Sequence, residues 1–212
     1  MNLTGPALNL RPRYNVAPGQ NIAAVRSEDG DRRLSMLRWG LIPVWSKKPN
    51  IGYSLINARS ETVASKPAFR AAYRARRCLI PADGFYEWVR RGSVKQPYLI
   101  GRKDGGMMAF AGLWERWFIP RDVSLPPSLA EMEPGDALET CTILTTTANE
   151  TLAQVHHRMP VILPSESFDP WLDGQAVTLD PSPAQEITFQ AVTTRVNKAS
   201  NDDPGCVEPL TA

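Results

Sequence analysis

Nineteen prolines are scattered through these 212 residues, so that no stretch keeps a helical hydrophobic period long enough for a helix bundle. Each proline removes a backbone N–H and disfavours helix at the residue before it, which leaves short strands joined by turns. Strands are expected at Ile22 to Arg26, Ser35 to Leu41, Tyr53 to Ile56, Arg77 to Leu79, Gly84 to Val89, Tyr98 to Gly101, Met107 to Trp114, Cys141 to Thr146, Val177 to Leu179 and Gln190 to Thr193, few of them buried on both faces. Lys66 to Ala75 reads as an amphipathic surface helix, with Phe69, Ala72 and Tyr73 inward and Arg70, Arg74 and Arg76 around the other side. Capping boxes at Thr147-Ala148-Asn149-Glu150 and Ser182-Pro183-Ala184-Gln185 predict helices from Ala148 and Pro183, and a third is expected from Ser165, carrying Phe168 and Trp171 inward. Residues 118–138, with four prolines and an acidic run, predict an exposed loop between two strands. With no repeat and no linker, residues 1–212 read as one α+β, mainly β, domain of short mixed strands with a few peripheral helices.

A hydrophobic content of 42% supplies a core without staples. Cys78, Cys141 and Cys206 show no C-x-x-C spacing, so neither a zinc site nor a disulfide framework is expected, and free thiols suit a reducing cytoplasm. No run approaches the roughly 20 apolar residues of a membrane span, and the first residues lack the basic-then-apolar pattern expected of a signal peptide. The net charge of +2 by itself implies no polyanionic partner. Its distribution says more: eight basic residues (Arg59, Lys66, Arg70, Arg74, Arg76, Arg77, Arg90 and Arg91) face three acids between Arg59 and Arg91, while five acids and no base lie between Asp122 and Glu139. A basic face for nucleic acid and a solvated arginine-rich helix both fit this pattern.

The side chains able to do chemistry are few. His156 and His157 precede Arg158-Met159-Pro160 at a helix end, where a ring can be aimed into a cleft or can cap the last carbonyls. Glu87 shares one face of its strand with Phe85 and Val89, while Tyr86 and Trp88 take the other. That carboxylate is either at a solvent face or in a pocket, where desolvation suits it to proton transfer. Asn57, at a strand end, can hold a substrate oxygen or make a turn. Trp39 and Trp45 flank an apolar segment that can pack a core or stack on a base.

Taken in order, Arg13-Tyr14-Asn15-Val16-Ala17-Pro18-Gly19-Gln20, Arg38-Trp39-Gly40-Leu41-Ile42-Pro43-Val44-Trp45, Ile56-Asn57-Ala58-Arg59-Ser60-Glu61-Thr62, Arg77 to Trp88, and His156-His157-Arg158-Met159-Pro160 form a series that resembles the SRAP family, the SOS-response-associated peptidases that process abasic sites in single-stranded DNA. The stretch from Val196-Asn197 to Asn201-Asp202-Asp203-Pro204 fits it too. The resemblance implies a compact, barrel-like, mainly β fold with a basic groove for single-stranded DNA, including its junctions with duplex, and no cofactor or metal. It implies an N-terminal cysteine, freed by autoproteolytic removal of the initiator methionine, that condenses with the aldehyde of an abasic deoxyribose to a thiazolidine. By the same resemblance Asn57 holds groups near the nucleophile, Glu87 serves proton transfer and methionine removal, and His156 is the acid/base that opens the sugar. Arg59 and Arg158 bind flanking phosphates, and Trp39, Pro43 and Trp45, with Pro18, shape the DNA contact. Cytoplasmic location, on DNA, is expected.

One departure stands out: the family opens Met-Cys-Gly-Arg, and residue 2 here is Asn2. No internal cysteine replaces it, because thiazolidine chemistry needs a free α-amine on the same residue. Two expectations follow, an internal methionine taken as the start or a form that binds DNA without crosslinking. A non-covalent single-stranded DNA-binding module is therefore the main alternative. A hydrolase built on Glu87 and His156 would need another nucleophile or a metal-bound water, for which the spacings give no signature.

Overall fold

In the computed structural model, residues 3–4 and 8–210 are described, the side chain of Arg91 excepted; Met1 and Asn2, on which the expectation about the start rests, lie outside them. Among the described residues ten strands are formed: β1 (Asn21–Glu28), β2 (Asp31–Trp39), β3 (Asn57–Arg59), β4 (Arg77–Ala82), β5 (Gly84–Arg91), β6 (Val94–Arg102), β7 (Met108–Phe118), β8 (Ala137–Thr147), β9 (Arg158–Pro160) and β10 (Ile187–Ala191). The α-helices among the described residues are short, α1 (Arg70–Ala75) and α2 (Phe168–Leu172). None is long and apolar enough to cross a membrane.

β1, β4, β7, β8 and β2 are hydrogen-bonded in that order, and the parallel pairing of Arg38 with Thr140 and Trp39 with Cys141 closes them into a five-stranded barrel. Closure removes the free edges an open sheet would present. β8 is the hub: β7 and then β9 run along one edge, β2 and then β3 along the other. A second sheet, β10-β6-β5, packs on the same core, since Tyr98, Ile100 and Ile187 join Ile22, Leu37, Ile80, Phe110 and Ile143 in one cluster.

The alternation along β7 shows how the layers arise. Met108 and Phe110 enter that cluster, while Ala111 and Leu113 face a second one covered by α1 and α2. β4, β7 and β8 are thus buried on both faces along much of their length, a correction to the expectation of half-buried strands. The cause is the outer layer, in which Trp171 of α2 is fully buried and its indole N–H donates to the Cys78 carbonyl over 2.9 Å. Truncating such a side chain to alanine costs about 3–5 kcal/mol.

Other local readings also shift. Tyr53 to Ile56 is not a strand: a 3₁₀ turn fills Pro49–Ser54, where Gly52 lies against Gly40 so closely that a Cβ on Gly40 would sit 2.7 Å from the Gly52 carbonyl oxygen. Val177 to Leu179 forms no strand and packs on the second cluster. Neither capping box starts an α-helix: single 3₁₀ turns form at Leu152–Gln154 and Ala184–Glu186, Thr147 ends β8, and the buried Ser182 hydroxyl caps nothing among the described residues. After the first the chain must return at once to pair β9 with β8, and Ala148 N–H already bonds the His157 carbonyl. In the 118–138 segment Asp122, Glu131, Glu133 and Asp136 are exposed, while Ile119 packs with Trp117 and Ile42 in a small core that Val123, Leu125 and Met132 border.

Candidate active site

β5 settles the position of Glu87. Phe85 and Val89 pack into the main core, and Tyr86, on the opposite face, packs against the chain's final segment, so Glu87 lies on the core side in the pocket arrangement. Its side chain is about a quarter exposed, 24%. Burial pushes its carboxyl above the usual range, against the opposing pull of the His156 and Lys95 charges and its bond with the Trp88 N–H.

His156 arrives from the other sheet. Asn149 Oδ1 accepts the Leu152 N–H at 2.9 Å and pins the 3₁₀ turn, and His156 N–H bonds the Leu152 carbonyl at 2.9 Å. The ring places Nδ1 3.5 Å from Glu87 Oε1. Nδ1 is also 3.0 Å from the Arg158 carbonyl oxygen and 3.2 Å from the Arg158 N–H, so the main chain engages that nitrogen in either tautomer. Nε2 is then the nitrogen left to meet a substrate, as acid in one tautomer and as base in the other. The exposed His157 ring lies against that of His156, ring centres 4.4 Å apart and planes tilted by 44°. A partly buried carboxyl beside an imidazole, at the seam of two sheets, can shuttle a proton.

Asn57 and Arg59 are exposed on one face of β3, whose pairing sets them opposite Ile143 and Thr145 of β8. Neither side chain has a hydrogen bond or ion pair among the described residues. Trp39 ends β2 with its indole N–H donating to the Ile56 carbonyl at 2.8 Å, directly before Asn57. The loop after Gly40 is anchored by Ile42 N–H on Thr140 Oγ1 and by Trp117 Nε1–H on the Ser46 carbonyl; on it Pro43 is buried while Val44 and Trp45 are 55% and 58% exposed. Pro18 is exposed at a turn beside Gly19.

Arg158 is already occupied: Nη1 and Nη2 meet Glu61 at 2.5 and 3.0 Å, and Nη2 also donates to the Thr145 carbonyl at 2.5 Å. The basic run is thinner at the surface than its composition suggests. Arg76 pairs with the buried Glu115, and the Arg77 guanidinium lies 4.6 and 4.4 Å from the centres of the Tyr73 and Trp171 rings, leaving Arg59, Lys66, Arg70, Arg74 and Arg90 exposed. Sequence reasoning gave no role to Glu61, Thr145, Lys95 or Asn197, although Glu61 stood inside a quoted motif. No local spacing signals a partner 97 positions away. The three cysteines are buried, and burial pushes the Cys78 and Cys141 thiols up, so neither is a nucleophile.

A family model described as SOS response associated peptidase (SRAP) matches residues 3–199. The chain belongs to the SRAP family. It is 41% identical over 211 residues to abasic site processing protein YoqW of Bacillus subtilis (strain 168), covering 96% of this chain and 88% of that one. It is 32% identical over 236 residues to abasic site processing protein HMCES of Gallus gallus, covering 94% and 67%. An X-ray structure of a protein from Bacteroides thetaiotaomicron superposes with a TM-score of 0.76 at 28% identity, over 91% of this chain and 82% of that one. The mainly β, barrel-like SRAP fold expected from the motifs is the fold found.

Proposed function

We propose that this SRAP protein processes abasic sites in DNA, binding the lesion in single-stranded DNA, including junctions with duplex, and linking to it covalently through an N-terminal cysteine where the chain carries one. The observation that carries the reading is the Glu87–His156 pair, a proton-transfer couple in a chain whose relatives are named abasic site processing proteins and which also exposes Asn57, Arg59 and Trp45.

The sugar of an abasic site must open from hemiacetal to aldehyde, which moves a proton from the hydroxyl at C1′ to the ring oxygen; a neutral imidazole backed by a carboxyl does both halves. An α-amine then adds to the aldehyde and loses water to give an imine, and a thiol adds across the C=N bond to close a thiazolidine. Amine and thiol, with ordinary pKa values of about 8 and 8.5, are both partly nucleophilic at neutral pH. Closing the ring consumes the imine and suppresses strand cleavage. Arg59 and Arg158 take flanking phosphates and Trp45 stacks on a base. Asn2 offers no thiol, so the 212-residue chain is expected to bind single-stranded DNA in a salt-sensitive way without crosslinking.

The test uses an oligonucleotide with one aldehyde-bearing abasic site, run on a denaturing gel with the 212-residue chain and with a form extended to begin Met-Cys-Gly-Arg. A covalent band with the extended form alone supports the reading. A band with the 212-residue chain overturns the cysteine assignment, and no binding by either form overturns the function.

A further inference from the structure

The Arg158–Glu61 pair carries a consequence for how the site meets DNA, one that rests on Arg158 taking a backbone phosphate. A guanidinium binds a phosphate best through two parallel N–H bonds from one edge, and a carboxylate offers the same two-oxygen match. Here the edge formed by Nη1 and Nη2 is taken by Oε1 and Oε2 of Glu61. The two partners are not equally placed. Arg158 is 16% exposed and tied from behind to the Thr145 carbonyl and, at 3.3 Å, to Thr145 Oγ1, whereas Glu61 is 46% exposed. The carboxylate is the solvent-side member, and an anion arriving from solvent reaches it first. Glu61 also sits two residues from Arg59, an exposed cation with no ion pair among the described residues.

We propose that Glu61 stands in for a DNA phosphate in the free protein and is exchanged for one on binding, so that it sets the affinity of the site while Thr145 keeps Arg158 aimed. Exposed ion pairs stabilise little, so the exchange meets only a shallow barrier, yet each phosphate must displace a carboxylate that is always at hand. Glu61 thereby lowers the affinity of any strand whose phosphate must displace it. Its role is positioning and competition, with no part in bond making.

Fluorescence anisotropy of the 212-residue chain with a labelled single strand bearing a tetrahydrofuran abasic analogue, which has no aldehyde, isolates binding from chemistry. Glu61→Gln is expected to tighten binding by about three- to tenfold, the size of a removed competing ion pair. Asp29→Asn, at the tip of the β1–β2 hairpin remote from Trp39, makes the same change in net charge and is expected to alter binding by less than about twofold, by long-range field alone. Arg158→Ala is expected to weaken binding, and adding Glu61→Gln to it to do nothing more, because Glu61 acts through Arg158. If Arg158→Ala weakens binding and Glu61→Gln leaves it unchanged or weaker, the proposal is overturned while the function stands. If Arg158→Ala has no effect, the phosphate role of Arg158 fails and the proposal with it. Melting curves of each variant confirm that binding is compared between folded proteins.

Discussion

Two carboxylates on the two sides of β5 live under opposite physics. Asp202 accepts the Tyr14 and Asn15 N–H groups at 2.6 and 3.0 Å and the Arg13 guanidinium, while Asn15 Nδ2 donates to the carbonyls of Val196, Lys198 and Asn201. Together they clasp the start of the chain to its final segment. Tyr86 donates to the Tyr14 carbonyl and Trp88 to Asn197 Oδ1, so β5 is held from behind by the same clasp. Glu87 lies between those two residues and faces the other way, with a histidine at 3.5 Å and no guanidinium. Burial works against the charge on Asp202, yet the two amides and Arg13 outweigh it and hold its carboxyl low; on Glu87 burial prevails and holds the carboxyl high. One acid is satisfied and stabilises the fold. The other is left under-satisfied, which costs stability and suits a proton carrier.

The sharpest way to break this contrast is to remove the chemistry and watch the fold. In the form beginning Met-Cys-Gly-Arg, His156→Ala or Glu87→Gln is expected to slow crosslinking at an abasic site by about 100-fold or more, the range for a lost acid/base group. The melting temperature should move by no more than roughly 3 °C, since neither change opens a cavity in a core cluster. A large fall in stability with either variant would place the pair in the framework and end the comparison.

The reverse experiment follows. Asp202→Ala strips three charge-assisted bonds and is expected to cost about 2–3 kcal/mol, lowering the melting temperature by roughly 5 to 10 °C. Crosslinking per folded molecule should hold well below the transition. The pH dependence has a definite sign: because the Asp202 carboxyl is held low in the fold, its stabilisation is present above its ordinary value near 3.8 and lost as pH falls through its lower folded value. Urea titrations at pH 7 and pH 2.5 should therefore show the wild-type advantage over Asp202→Ala shrinking in acid. Trp45→Ala, on the exposed loop, should weaken single-stranded DNA binding about fivefold or more, as lost base stacking does, with the melting curve unmoved.

How much of this contrast was legible in the sequence depends on the range of each contact. The period of two in Phe85-Tyr86-Glu87-Trp88-Val89 separates the faces correctly, and the even residues of Met108 to Trp114 do the same for β7, because strand alternation is local. Which face Glu87 takes depends on β6, β10 and the final segment, and no window around residue 87 contains them. Asn15 and Asp202 were both visible as motif residues, but their pairing spans 187 positions. The helix expected from Ala148 failed for the same reason: Asn149 is a sound local cap, yet the pairing of Thr147 with Arg158 allows only one turn before the chain must reverse. His156 owes its place to that truncation.

The smallest effect is the most discriminating. If Glu87 is held under-satisfied, Glu87→Gln should lose activity and gain stability. The linkage runs opposite to that of Asp202: a carboxyl raised in the fold binds its proton more tightly there than in the unfolded chain, so wild-type stability falls as pH climbs from about 4.5 through the raised value and stays lower above it. A neutral amide carries no such loss. The variant should therefore melt roughly 1 to 3 °C higher at pH 7, with the difference gone below pH 4, where wild-type Glu87 is protonated in both states. A gain that persists unchanged at pH 3.5 would mean that glutamine packs better for reasons of shape, and a loss at pH 7 would mean that His156 fully satisfies the carboxylate. Only a gain confined to the higher pH shows that burial of the charge itself carries the cost, which is the condition for Glu87 to hold its proton above the usual carboxylate range.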